Sequence, residues 1–186
     1  MAKHDVCPWW VGYLLASPIR RLSQDPVQIL LPYVRAGMTV LEPGPGMGFF
    51  TLEAARLVGP LGRVIAVDVQ PRMIEGLKRR ASKVRLVDRM DARIATAGSM
   101  ALDDLEGTVD FTFAFAVVHE MPSAAGFFAE AARAMKGGAT LLLTEPVGHV
   151  IEAEFKEELA AAAAHGLTVV DRPSLKRCVS ALLQKI

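Results

Sequence analysis

Cysteine is almost absent from this 186-residue chain, with Cys7 and Cys178 its only thiols. Two distant cysteines make neither a disulfide framework nor, by themselves, a structural zinc site. An excess of charge of either sign is also missing: Lys and Arg total 21, Asp and Glu 20, a net charge of +1. Proteins that rely on long-range attraction to phosphate backbones are normally clearly basic, so no nucleic-acid partner is expected. The opening MAKHDVCPWW lacks the apolar stretch of a secretory leader. No run of about 18 residues is free of charge, Gly and Pro, so no membrane span is expected and the location expected is cytoplasmic. What the chain has in quantity is apolar side chain, 52% hydrophobic against 22% charged. That is enough to bury a sizeable core and excludes general disorder. With domains usually about 100–200 residues long, one domain is the default.

The middle of the chain alternates two kinds of segment. Short apolar runs at Met38–Glu42, Arg63–Asp68, Val84–Val87, Val109–Ala116 and Ala139–Glu145 read as buried strands. Helical patterns at Phe49–Val58, Pro71–Ser82, Ser123–Met135 and Ile151–His165 fall between most of them. Strand alternating with helix implies right-handed crossovers and a parallel sheet covered on both faces. Gly137-Gly138, just after a helical pattern, is expected to cap it in the left-handed conformation. The C-terminal LTVVDRPSLKRCVSALLQKI holds two β-like runs with no room for a crossover helix, so they are expected to pair antiparallel. An N-terminal helical segment and candidate lid is expected at 1–36, ahead of one globular unit at 37–186. Within that segment Asp25-Pro26 has the order of an N-cap and first helical residue, and Pro32 shortens the helix that follows.

The stretch Val40-Leu41-Glu42-Pro43-Gly44-Pro45-Gly46-Met47-Gly48-Phe49 is the most informative. An apolar strand ends in an acid, and three glycines follow at alternate positions before a helix. Such glycines let the chain turn sharply and let a ligand approach the backbone. In open α/β sheets, ligands bind at the carboxyl ends of the strands. A dinucleotide fingerprint needs its third glycine at position 49, which is Phe. Glu42 would also repel a pyrophosphate while suiting an ammonium group. The second strand ends in Asp68, which has the chemistry to accept from two ribose hydroxyls or, alternatively, to cap the next helix. Met90-Asp91-Ala92 is placed after the third strand, where an acid suits an adenine amino group; Asp88 is its rival.

Taken together, Glu42-x-Gly44-x-Gly46-x-Gly48, Asp68 and Asp91-Ala92 resemble the cofactor motifs of class I S-adenosylmethionine-dependent methyltransferases. Val109-Asp110-Phe111, His119-Glu120-Met121-Pro122 and the run Met135 to Pro146 resemble that family's fourth-strand motif and fifth-strand entry. The resemblance covers roughly residues 36–186. It implies an α/β fold: a Rossmann-like, doubly wound seven-stranded sheet, mostly parallel with an antiparallel last strand. It implies S-adenosyl-L-methionine as cofactor, with the amino-acid part held by Glu42 and the loop Gly44, Pro45, Gly46, Met47 and Gly48. Asp68 would hold the ribose and Asp91 with Ala92 would lie near the adenine, while Val69 and Ala116 complete the cofactor-binding set. Pro45 departs from the Cys or Ala of many members and should stiffen the loop.

The acceptor site is expected beyond the fourth strand, at Phe115–Pro122. The chain lacks the Asp/Asn-Pro-Pro-aromatic run of nucleobase amino-methylating enzymes, a cysteine near this loop in sequence for methylating cytosine carbon, and the several cysteines of an arsenite enzyme. His119 and Glu120 are the candidate catalytic residues. A histidine near neutral pKa can take a proton from an attacking hydroxyl, thiol or amine, with Glu120 orienting it. Alternatively His119 bonds the backbone of the turn, Glu120 faces the next helix dipole, and positioning alone drives transfer. Trp9, Trp10 and Tyr13 either cover a substrate or pack their segment down; Arg20 and Arg21 either bind an anionic acceptor or lie on solvated surface. The expected activity is methyl transfer to a small-molecule acceptor, without a metal. An RNA or protein methyltransferase, a non-catalytic cofactor-binding module and a nicotinamide oxidoreductase are the alternatives, and a homodimer is left open.

Overall fold

The computed structural model describes residues 8–96 and 98–186; Cys7 lies outside them. Seven strands form a mixed sheet in the order β3-β2-β1-β4-β5-β7-β6, numbered along the chain. The chain packs as two compact units that divide between Ala95 and Thr96.

In the first unit, α1 (Val11–Leu15), a 3-10 turn (Pro18–Leu22) and α2 (Pro26–Leu30) precede β1 (Thr39–Pro43), α3 (Thr51–Val58), β2 (Arg63–Asp68), α4 (Pro71–Lys83) and β3 (Met90–Ile94). Asp25 caps α2 by accepting the Val27 N–H at 3.0 Å, and the helix stops two residues before Pro32. β1 runs parallel to β2, with Glu42 beside Ala66, and β2 parallel to β3, with Asp68 beside Ile94. Their inward residues Leu41 and Ile65 are fully buried. Pro71 opens α4, and Met73, Ile74, Leu77 and Ala81 form its buried stripe, while Arg80 and Lys83 sit in the last turn where the helix dipole favours cations. Leu77 is fully buried, so truncating it to alanine costs about 2–5 kcal/mol. α1 is pressed close to α4, for a methyl group on Gly12 would come within 2.7 Å of the Met73 sulfur.

Two aromatic residues of the N-terminal segment, Trp9 and Tyr13, engage the same helix. The Arg72 guanidinium lies 4.5 Å over the Trp9 ring, and Arg79 donates to the Tyr13 hydroxyl at 3.3 Å. Trp10 stays exposed.

In the second unit, β4 (Val109–Phe115), a 3-10 turn (Val118–Glu120), α5 (Ala124–Ala134), β5 (Met135–Pro146), α6 (Glu152–Ala163), β6 (Leu167–Asp171) and β7 (Cys178–Lys185) follow in order. β4 and β5 are parallel, and β7 is antiparallel to both β5 and β6, as the C-terminal sequence predicts. The Ser123 hydroxyl caps α5 by accepting the Gly126 N–H at 3.0 Å. At α6, Glu154 accepts the Ile151 N–H at 2.9 Å.

Two expectations are corrected. The third strand is Met90–Ile94, not Val84–Val87, which holds the end of α4's turn and a short 3-10 segment. Arg85 between them adopts φ +55°, outside any strand conformation. Gly137-Gly138 also does not cap a helix. α5 has already ended, and the pair lies inside β5, where the pairing with β4 jumps from Val109–Met135 to Phe111–Thr140. The extra residues form a bulge, and Gly138 supplies its positive φ of +78°.

Candidate active site

The first unit builds a cradle at the carboxyl ends of β1 and β2. After Pro43 the chain turns through Gly44, Gly46 and Gly48, all left-handed at φ +63°, +53° and +82°. A side chain in that conformation costs about 1–2 kcal/mol per residue. Gly46 faces open space, with nothing within 4 Å of where a Cβ would stand. Gly48 is needed for the opposite reason: a Cβ there would lie 2.4 Å from Leu77 Cδ1. Met47 turns inward, buried against Gly76, and its carbonyl accepts from Arg80. Pro45 carries the carbonyl that accepts the Gly48 N–H at 2.9 Å and closes the loop.

Glu42 stands at the entrance to this loop and is only 4% exposed. Burial pushes its carboxyl up to about 8; the Thr51 hydroxyl and the Arg20 guanidinium work against that rise, and Asp68 adds to it. Its Oε2 is buried without a hydrogen-bond partner among the described residues. A buried carboxylate oxygen left in that state is costly. A cation brought into the cradle would satisfy it. Arg20 is not solvated surface, since its guanidinium lies 4.6 Å over the Phe49 ring and its Nε donates to Gln24. Arg21 pairs with the buried Glu53.

Asp68 is also buried at the end of β2, and its Oδ1 accepts the Gln70 N–H at 2.9 Å. That bond closes a turn ahead of α4 and is not a helix cap, for the N-cap of α4 is Gln70 and no side chain caps it. Val69 beside it is exposed. Asp91 is placed differently from expectation. It lies inside β3 beside Ile65, and its carboxylate takes Arg93 Nε and Nη2 at 3.0 and 2.7 Å. Ala92 follows within the strand, beside Ala66. The carboxyl end of β3, level with Asp68, is formed by Ile94 and Ala95.

The second unit carries its own cluster where β4 and β5 end. β4 stops at Phe115, and Ala116 takes φ +54°, a strained value for a residue with a Cβ. The next turn carries Val118, His119 and Glu120. Glu145, fully buried at the end of β5, accepts the Val118 N–H at 2.9 Å on Oε1 and meets His119 Nδ1 at 2.5 Å through Oε2. His119 therefore bonds a carboxylate, not merely the backbone. Burial alone would lower the His119 pKa, but the hydrogen bond and charge of Glu145, helped by Glu120 and Glu158, outweigh it and raise the value above the ordinary 6.5. Glu158 on α6 is 7% exposed. Burial and the charge of Glu145 push it up to about 8, His119 opposes the shift, and Glu154 reinforces it. The His149 ring meets His119 edge-on, with centroids 5.7 Å apart.

Sequence reasoning missed Glu145, Glu158, Thr51 and His149. Glu145 bears the same mark that singled out Glu42 and Asp68, an acid ending an apolar strand. Glu158 shares a face with Phe155 and Ala162, and a carboxyl on an apolar stripe is itself a signal.

Comparison with known proteins places these clusters in context. A family model described as a methyltransferase domain matches residues 35–183. A ribosomal protein L11 methyltransferase of Pelotomaculum thermopropionicum is 32% identical over 160 residues, 83% of this chain and 46% of the relative. This chain thus spans about half the length of that protein. Among solved structures, a SAM-dependent methyltransferase from Aquifex aeolicus superposes with a TM-score of 0.87 at 24% identity, covering 97% of this chain and all of the other. Geranyl diphosphate C-methyltransferase from Streptomyces coelicolor, in complex with S-adenosyl-L-homocysteine, gives a TM-score of 0.75 at 18% identity over 91% of this chain and 78% of that one. The strand order, its antiparallel β7 and a family match running through both units lead to one assignment: this chain belongs to the methyltransferase-domain family.

Proposed function

We propose that this protein is an S-adenosyl-L-methionine-dependent methyltransferase acting on a small-molecule acceptor. The observation that carries the reading is the buried, unpartnered Glu42 Oε2 at the entrance to a left-handed glycine loop. A carboxylate there suits the ammonium of an amino-acid moiety and repels a phosphate. Asp68 would receive ribose hydroxyls, with Val69 beside it. Met47 and Pro45 support the loop from behind, whereas the ion-paired Asp91 has less to offer an adenine than its sequence position suggested.

When bound, the cofactor supplies an electrophilic methyl: the acceptor's lone pair forms the new bond, and the sulfur keeps the electrons of the broken C–S bond. His119 is assigned the acceptor's proton, with Glu120 adding negative charge beside the imidazolium that results. Ala116 holds the turn that presents both. The near-zero net charge favours a small acceptor over a nucleic acid. The similarity to a ribosomal protein methyltransferase favours a protein acceptor as the second reading.

Calorimetric titration tests the cofactor half. S-adenosylhomocysteine should bind in the micromolar range, with Glu42→Ala and Asp68→Ala each weakening it at least about tenfold, the scale of one lost charge-assisted hydrogen bond. No binding to the wild type would refute the reading. A screen for S-adenosylhomocysteine release over hydroxyl, thiol, amine and carbon acceptors, with the L11-type protein substrate beside them, decides between the acceptor classes.

A further inference from the structure

In the first unit, α3 and the end of α4 do not close on each other through apolar side chains alone. With Ala16 and Arg21 of the N-terminal segment they line an open cleft of about 470 Å³. Leu52, Glu53 and Arg56 reach it from one face of α3, and Arg80, Lys83 and Val84 from the end of α4. Four cationic side chains, Arg21, Arg56, Arg80 and Lys83, thus meet there against one carboxylate, Glu53. Glu53 is buried and accepts from both Arg21 and Arg56, the latter at 2.9 Å, so its charge is shared between them. Arg80 has no acidic partner among the described residues; its guanidinium donates to the Met47 carbonyl and, at 3.4 Å, to the Ala16 carbonyl. Lys83 is exposed and likewise has no acidic partner among the described residues. Burial, and after it the charge of Arg21, holds the Arg80 pKa below its ordinary value. Helix dipoles favour Arg56, Arg80 and Lys83, each in a last turn, but do not account for Arg21 as a fourth cation. Like charges on solvated side chains lower their repulsion by turning apart. Here Glu53 and two carbonyls hold three guanidiniums in place.

We propose that this cleft binds a phosphate-bearing anion, with Arg80 and Lys83 as its direct contacts and Arg21 and Arg56, held by Glu53, as fixed positive charge beside them. A phosphate suits the cleft better than a carboxylate does. It carries close to two negative charges at neutral pH, and its oxygens accept at once from a planar guanidinium and from an ammonium. A guanidinium has more N–H donors than the two bonds Arg80 makes, so donors remain for a ligand. Leu52 and Val84 add apolar lining, beside which charges attract more strongly than in open water. The volume is of the size that takes small ligands. Neither Glu42 nor Asp68 lines the cleft, so the anion is a second ligand and does not depend on the methyltransferase reading.

The test is calorimetric titration of the full chain with inorganic pyrophosphate and, separately, inorganic phosphate, at physiological ionic strength, where exposed charges more than about 8 Å apart are screened. Pyrophosphate should bind wild type with a Kd below about 1 mM, and phosphate more weakly. Lys83→Gln should weaken both at least about tenfold, the scale of one hydrogen bond between charged groups. Arg56→Gln should weaken them by a smaller factor. Lys78→Gln removes the same charge from an exposed position of α4 outside the cleft and should leave both unchanged. S-adenosylhomocysteine affinity should be the same in Lys83→Gln as in wild type. Co-sedimentation with vesicles bearing phosphatidic acid distinguishes the source of the phosphate. Capture that Lys83→Gln loses and Lys78→Gln keeps assigns it to a lipid headgroup; pyrophosphate binding without capture assigns it to a soluble ligand. A wild type that takes up neither anion and no vesicles would overturn the proposal. Equal weakening by Lys83→Gln and Lys78→Gln would overturn it too, as general attraction to a basic helix, and so would a matching loss of S-adenosylhomocysteine affinity in Lys83→Gln, as one shared site.

Discussion

Glutamine at position 42 keeps the size of the glutamate and removes its titration, which separates the stability of the fold from the work of the site. In the folded protein the Glu42 carboxyl titrates near 8; its ordinary value is 4.5. Between those values the unfolded chain has given up this proton and the folded chain keeps it, so stability falls as pH rises. The span is about 3.5 pH units at ~1.4 kcal/mol each, which makes the ionised carboxylate cost the fold about 3–5 kcal/mol by about pH 9. Glu42→Gln should therefore be more stable than wild type at about pH 9 by that amount, and the difference should shrink to below about 1 kcal/mol at pH near 4, where both states of the wild type hold the proton. Urea denaturation at the two pH values measures it. The same variant should lose cofactor affinity, because the ammonium meets an amide in place of a carboxylate. In the wild type, affinity should rise by up to about tenfold per pH unit below about 8, since the binding form is the ionised one. A variant whose stability relative to wild type does not change with pH would refute the reasoning, as would one that binds S-adenosylhomocysteine as tightly as wild type.

Three further outcomes are expected. Ala116→Gly relieves a left-handed alanine and should raise stability by about 0.5–1 kcal/mol, read as a shift in Tm; a loss would show that φ +54° is not strained. Gly48→Ala should cost about 2–4 kcal/mol in denaturant unfolding, because backbone strain adds to a clash with the buried Leu77. Asp68→Ala should weaken S-adenosylhomocysteine binding at least about tenfold, one hydrogen bond to a charged group, while Asp91→Ala should weaken it less, its carboxylate being held by Arg93; the reverse order would put the adenine subsite on β3 after all.

The strands that a sequence reader finds are those buried on both faces. Thr39–Pro43, Arg63–Asp68 and Val109–Phe115 are near-continuous apolar runs, and their ends lie within a residue of expectation. Met90–Ile94 stands at the sheet edge, is half-buried and carries Asp91 and Arg93, so it has little apolar signal. The neighbouring Val84-Arg85-Leu86-Val87 has more β-like composition, but Leu86 is fixed in a turn after α4. The Gly137-Gly138 error has another cause: a positive φ serves a bulge as well as a helix cap, and composition does not distinguish them. At the candidate site, the strand-end places of Glu42 and Asp68 and the left-handed glycine turn were legible because strand-end acids and alternate glycines have few structural uses. Glu158 was hidden in the charged run Glu154 to Glu158 of a helix whose buried face is narrow, and Glu145, whose charge acts on it, was read only as part of a fifth-strand run. Both needed the fold to bring β5 and α6 to one turn.

The decisive measurement is calorimetric titration of S-adenosylhomocysteine into wild-type protein near pH 7, in buffers of differing ionisation enthalpy. Micromolar binding with about one proton released, the proton that Glu42 holds below about 8, is the expected result. Absence of binding, or binding with no proton released, would contradict the assignment of Glu42 and its glycine loop as the cofactor's ammonium site.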